Sequence, residues 1–319
     1  MNNRGRQRPR AGGRPRRHRS GPERPITGTV GSPESRLFSA LDRRWKDFLK
    51  QRRICQAGFS EPAVHDLRVA IRRLVAALDL LTTIADPDQL AMPRQQLKSL
   101  LKRMGQLRDT QVQILAVKKL VPRFRFLEVF STVLLLRERR ELNRVVRRLE
   151  KLRTGGMQQT IFTVSRGVEG SMRDPSAMIA VRTALQGSLG TAFLKLVRLR
   201  RGIVISDPLT IHRFRIAFKR FRYATEILRP DTEESHHKAM NDFQTRMGTI
   251  RDLEVLMGNI RQFGVGSPVR PGTRRRVIPA VSLAIIHRRL QRRHSVLVRR
   301  FIQSVNEFQR FYVPATTSS

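Results

Sequence analysis

Two segments of this sequence carry cations at a repeated spacing. HDLRVAIRRLVAALDLL at 65–81 presents His65, Arg68, Arg72 and Arg73, and HRFRIAFKRFRYATEIL at 212–228 presents His212, Arg215, Lys219, Arg220 and Arg222. Each is followed by a second block, MGQLRDTQV at 104–112 and MGTIRDLEV at 247–255, which adds Arg108 and Arg251. Guanidinium and ammonium groups only donate, and an imidazole offers one N–H when neutral and two when protonated, so this set suits binding of an extended anion. The imidazoles would strengthen such a contact below about pH 6.5. Asp109 and Asp252, beside the block arginines, could either cap a following helix or orient those guanidinia.

These residues need helices to position them. With Leu67 set at zero and ~100° per residue, Ile71, Leu74, Leu78 and Leu81 fall on one face, while Arg68, Arg72 and His65 fall about 100–160° away. The second segment places its cations beside Phe214, Phe218 and Phe221 in the same way. A helical run over 123–153 spaces Arg137, Arg140, Arg144, Arg147 and Lys151 three or four apart, where like charges repel by a few tenths of a kcal/mol per pair. Arg137, Arg140, Arg147 and Arg148 match Arg289, Arg292, Arg299 and Arg300 in a looser third block. Lys98 and Lys102 add cations to the first copy, where the second has Asn241 and Thr245.

The blocks recur in order at shifts of 147, 143 and 152 residues, which indicates duplication of a helical unit. Apolar residues keep helical spacing from Glu34 onward, with runs at 88–104, 106–119, 123–153, 176–201, 208–229, 232–248, 250–263 and 278–312, so the expected fold is all-α. Gly155-Gly156 and the stretch 264–272 read as breaks. Each unit of about 140 residues has four main helices and reads as a bundle, the first over about 35–155 and the second over about 176–313. Residues 1–34 read as a disordered tail, since nine arginines and four prolines between Met1 and Pro25 leave almost nothing apolar to bury.

The chain carries 64 Lys plus Arg against 25 Asp plus Glu over 319 residues, a net charge of +39. Removing the tail's +8 leaves +31 on residues 26–319, so the folded body is itself basic and suits acidic partners. Cys55 is the one cysteine, which excludes a disulfide framework. The longest nearly apolar run, Phe126 to Leu136, is too short to span a bilayer, and no apolar stretch backs the N-terminal arginines, so a cytoplasmic protein without a membrane partner is expected. No Walker loop, HExxH, GxSxG or paired CxxC occurs. Acids are sparse along the basic faces and offer no evident carboxylate pair, and the Glu233, Glu234, His236, His237 cluster has no counterpart in the first copy. No catalytic residue, cofactor or metal site is therefore expected.

The two H-x-x-R-x-x-x-[RK]-R segments, each with its G-x-[LI]-R-D block, resemble the CHAD family, the conserved histidine α-helical domain, over roughly residues 35–313. The resemblance implies two four-helix bundles related by a pseudo-twofold, a basic surface or pore binding inorganic polyphosphate, and association with polyphosphate granules. It carries the binding role onto His65, Arg68, Arg72, Arg73, Arg108, His212, Arg215, Lys219, Arg220 and Arg251. The charge alone would equally suit a sequence-nonspecific RNA- or DNA-binding protein. Single-strand binders usually add aromatic platforms, whereas aromatics here are 6% and many Phe fall on apolar stripes. The Arg-rich tail could bind nucleic acid whatever the body does.

Overall fold

A computed structural model describes residues 31–266 and 280–312. Among them the chain forms nine α-helices and two short 3-10 helices, with no strand. The helices are α1 (Pro33–Gly58), α2 (Glu61–Leu81), α3 (Ala91–Lys118), α4 (Leu127–Glu150), α5 (Thr154–Ser171), α6 (Pro175–Arg201), α7 (Pro208–Leu228), α8 (Glu234–Gly266) and α9 (Ala280–Ser304). Most of the expected tail lies outside the described residues. At 32–34 the chain is already structured, with Ser32 capping a helix that Pro33 and Glu34 open.

The site helices start on local chemistry. Ser60 caps α2 by accepting from the Ala63 N–H at 3.4 Å, and Asp207 caps α7 by accepting from the Leu209 N–H at 2.9 Å. Both helices have proline in the first turn, where no intrahelical N–H partner is lost. α1 ends at Phe59, whose φ of 48° is left-handed and breaks the helix before Ser60 begins the next.

Neighbours in sequence pack as neighbours in space: α1 on α2, α3 on α4, α6 on α7 and α8 on α9. α2 also crosses α3, and α7 crosses α8. The halves are joined by α1 on α6, α2 on α7 and α3 on α8. The core is continuous across them: Leu37, Trp45, Phe48, Leu67 and Ile71 belong to the same buried cluster as Phe214, Phe218, Phe243 and Phe301. In the second half this cluster is aromatic, with Phe218 and Phe243 ring centroids 4.8 Å apart and Phe214 edge-on to Phe308 at 5.4 Å. A second cluster joins Ile114, Val117 and Phe130 to Leu253, Leu256 and Leu290.

Three expectations about elements change. α5 replaces the break at Gly155-Gly156, because both glycines sit in a first turn and Met157, Ile161, Val164 and Val168 behind them supply a buried stripe. α3 and α8 run unbroken through Gly105 and Gly248, where the periodicity predicts separate runs. α4 begins at Leu127 and not at 123, after a turn over 120–126.

Phe218 is fully buried among rings that cannot collapse far into the space it fills. Phe218→Ala should therefore cost about 3–5 kcal/mol, read from urea unfolding. A loss under about 1 kcal/mol, below the range for emptying an aromatic site, would show that the cluster is not the main support of the second half.

Candidate anion site

Because α2 packs on α7 and α3 on α8, the motifs of the two halves converge. A cavity of about 210 Å3 is lined by Arg68, Arg72, Gly105 and Asp109 from the first half and by His212, Arg215, Arg251 and Asp252 from the second. Gly105 and Gly248 occupy equivalent places. A Cβ on Gly105 would stand 4.0 Å from Arg68 Nη2, and one on Gly248 would stand 4.0 Å from Arg215 Nη2. A mid-helix glycine costs roughly 0.5–1 kcal/mol relative to alanine, and a Cβ at either place would meet the guanidinium at ordinary contact distance.

The cations of the cavity are buried (Arg68) or partly buried (Arg72, Arg215), with little to balance them. Arg68 retains 8% of its exposed surface, and its Nε has no hydrogen-bond partner. The same holds for Arg215 Nε and His212 Nδ1. Among the described residues, no ion pair forms at Arg68, Arg72, Arg215 or Lys219, whereas the neighbouring Arg108, Arg222 and Arg251 are each paired with a glutamate. Burial pushes Arg68 down to about 9, with Arg72 adding to the fall and Asp109 opposing it. Burial likewise lowers Arg215, helped by Arg72 and opposed by Asp252 and Asp109. Lys219, half-buried behind the lining, is pushed down to about 6 by burial and then by Arg72, Arg215, Arg68 and Arg222. An uncompensated buried charge is costly, so the free protein discards the lysine proton.

Both histidines are held below the ordinary imidazole range, by burial first and then by Arg108 at His65 and Arg251 at His212. Any gain from their protonation thus begins lower than pH 6.5. Asp109 and Asp252 lie inside α3 and α8, so they cap nothing and act on the guanidinia. They also line the cavity together, a carboxylate pair that the sparse acids of the basic faces do not suggest although both close the repeated R-D blocks. Asp252 is raised by burial and by Asp109, with Arg215 opposing. Among the described residues, no group of three or more His, Cys, Asp or Glu could hold a metal. Cys55 is buried and its thiol is raised to about 11, which makes it inert.

Other predicted residues lie elsewhere. Arg222 is buried, donates to Gln244 Oε1 at 3.1 Å, pairs with Glu226 at 3.0 Å and stacks on Tyr223 at 4.6 Å. Arg73 lies 3.6 Å from the same Glu226, so both belong to a structural ion cluster with Arg44. Arg108 is paired with Glu61, and His65 is exposed beside it. Lys98 pairs with Asp79 at 3.1 Å and joins Arg94 and Lys102 in a separate surface depression. Arg220 on α7, Arg137 and Arg140 on α4, and Arg289 and Arg292 on α9 are exposed and line no part of the cavity. One wall residue outside the repeated blocks carries no signal in the sequence: Gln113, whose Oε1 accepts from Asn259 Nδ2 at 2.6 Å across α3 and α8. Gln113 follows Asp109 by one helical turn, but an uncharged residue does not stand out there.

The Lys219 environment has a consequence for stability. Its native value lies below the ordinary 10.5, so between about pH 6 and 10.5 the unfolded chain binds more protons than the native protein. Stability should rise with pH through that window, and below it the full penalty applies. Lys219→Met should flatten this rise and increase the melting temperature at neutral pH. A variant whose pH–stability profile overlays that of the wild type would show a charged Lys219 in the free protein.

The pattern of the CHAD domain matches residues 39–261. No curated protein matches the chain. Two solved structures share its fold. The CHAD domain from the plant Ricinus communis superposes with a TM-score of 0.60 at 16% identity, over 86% of this chain and 92% of the other. PptA from Streptomyces chartreusis gives 0.57 at 15% identity, over 87% of this chain and 100% of the other. Paired motifs, an all-α fold and a match across most of the sequence agree: the chain belongs to the CHAD domain family.

Proposed function

We propose that this protein binds inorganic polyphosphate without catalysis, in the cavity where its two halves meet. The observation that carries the reading is the convergence of Arg68, Arg72 and Arg215 on one small space, with Lys219 close enough to feel their charge, none of the four in an ion pair among the described residues. Polyphosphate offers a charge at every unit and no bases. Arg68 and Arg72 stand one helical turn apart, about 6 Å along the axis, so each can meet a different phosphate. Arg215 and Lys219 repeat that spacing. Within the same reading, the order of helices and the equivalent glycines reflect duplication of a four-helix bundle about a pseudo-twofold. The exposed arginines of α4 and α9 extend the basic surface, and the arginines of the N-terminal segment suit nucleic acid. The protein then works in the cytoplasm at polyphosphate granules.

The alternative of nonspecific RNA or DNA binding fits the charge equally well, but the cavity wall lacks a stacking platform. Among the described residues no Phe, Tyr or Trp lines it, and Phe214, Phe218, Phe221, Phe243, Phe301 and Phe308 are all consumed in the core.

Replacing Arg68 and Arg72 with Gln should preserve the fold. Polyphosphate binding should weaken by about 1.5–3 kcal/mol for each charge-assisted hydrogen bond removed, an upper range that salt reduces. The slope of log affinity against log salt should shrink as fewer phosphates are neutralised. Arg14→Gln with Arg16→Gln, in the N-terminal segment, should do much less. Titration of both double variants at several salt concentrations decides it, and equal losses would mean that net charge rather than the cavity binds the ligand.

A further inference from the structure

A second cleft, of about 370 Å3, opens between α3, α8 and α9. Its walls are apolar: Ala116, Leu253 and Leu290 line it, and Leu115 stays 44% exposed at its edge. Its charged lining includes Arg108, Lys119 and Arg293. Val112, Gln113 and Asp252 line both this cleft and the anion cavity, so the two are contiguous. Leu253 and Leu290 are themselves buried, so the accessible apolar surface comes from Leu115 and the partly exposed Ala116. An inorganic phosphate chain has nothing to place against that surface, and an apolar edge beside a cationic site calls for a ligand with both characters.

We propose that this cleft takes the nucleoside end of a nucleoside triphosphate, whose phosphates reach past Gln113 into the anion cavity. A nucleoside fits for three reasons. The volume falls in the range of small-ligand pockets, roughly 300–1,000 Å3, while the adjoining 210 Å3 remains for phosphates. The apolar walls suit the faces of a base. Gln113 and Thr249 suit its polar edge: Gln113 spends its carbonyl oxygen on Asn259 and keeps its amide N–H groups as donors. An alkyl phosphate would bury those polar groups against hydrocarbon. The inference rests on the polyphosphate reading only for its phosphate half.

The test is calorimetric titration of the full chain with ATP, tripolyphosphate, dodecyl phosphate and long-chain polyphosphate. Tripolyphosphate carries at least as much charge as ATP, so an ATP preference isolates the nucleoside. ATP should bind at least about tenfold more tightly than tripolyphosphate, a difference of about 1.4 kcal/mol. Ala116→Phe, at a residue that lines the cleft and not the anion cavity, should abolish that preference while long-chain polyphosphate binding changes less than about twofold. Leu115→Gln, at an exposed position that tolerates change, should reduce the preference about threefold, the share of one apolar wall residue, and serves if the first variant melts early. Equal affinity for ATP and tripolyphosphate, tighter binding of dodecyl phosphate than of ATP, or an ATP preference that survives both substitutions would overturn the proposal. Loss of long-chain polyphosphate binding with the ATP preference intact would instead overturn the polyphosphate reading alone.

Discussion

Positive charge drawn partly out of water, with two aspartates and no ion pair to balance it, is the constraint around which this site is arranged. Arg68 and Arg215 lie across the glycine backbones of α3 and α8, their Nε atoms unbonded, and each depresses the basicity of its neighbours. Lys219 bears the largest consequence, since at neutral pH the free protein is more stable with the amine uncharged. Moving these side chains to the surface would relieve the cost. The fold prevents this, because α2 and α7 bury Leu67, Ile71, Phe214 and Phe218 on one face and so fix the cationic faces against each other.

The surrounding charges divide by whether they are already satisfied. Arg44, Arg73 and Arg222 share Glu226, and Arg94 and Lys98 share Asp79. Such pairs contribute modestly to stability and leave little for a ligand. The cavity cations have only the field of Asp109 and Asp252, which tempers their charge without neutralising it. A polyanion entering there would find donors in place and would restore the proton on Lys219.

Much of the fold is legible in the sequence because helical periodicity is a local signal. The stripes led by Leu67 and Phe214 are the buried faces of α2 and α7, and the repeated blocks meet in space as their matched order suggests. What the sequence conceals is mostly long-range. Asp109 and Asp252 are matched residues of the repeated blocks, but at 143 positions apart their spacing does not show that the two carboxylates share one cavity. Two departures from expectation have local explanations. Arg222 and Glu226 stand at i, i+4, the spacing of a helix ion pair, and the stripe from Met157 to Val168 outweighs the glycines before it. Arg137, Arg140, Arg289 and Arg292 show the limit of counting charge, because spacing cannot tell an exposed face from one turned toward a partner helix.

Proton uptake on ligand binding probes the central claim most directly. The heat of long-chain polyphosphate binding should be measured at mildly alkaline pH in two buffers of different ionisation enthalpy, for the wild type and for Lys219→Met. An anion in the cavity must raise Lys219 from about 6 toward its ordinary range, so the wild type should take up a fraction of a proton that the variant does not. Binding with no net proton uptake, or with equal uptake in both proteins, would contradict the account and place the anion elsewhere on the surface.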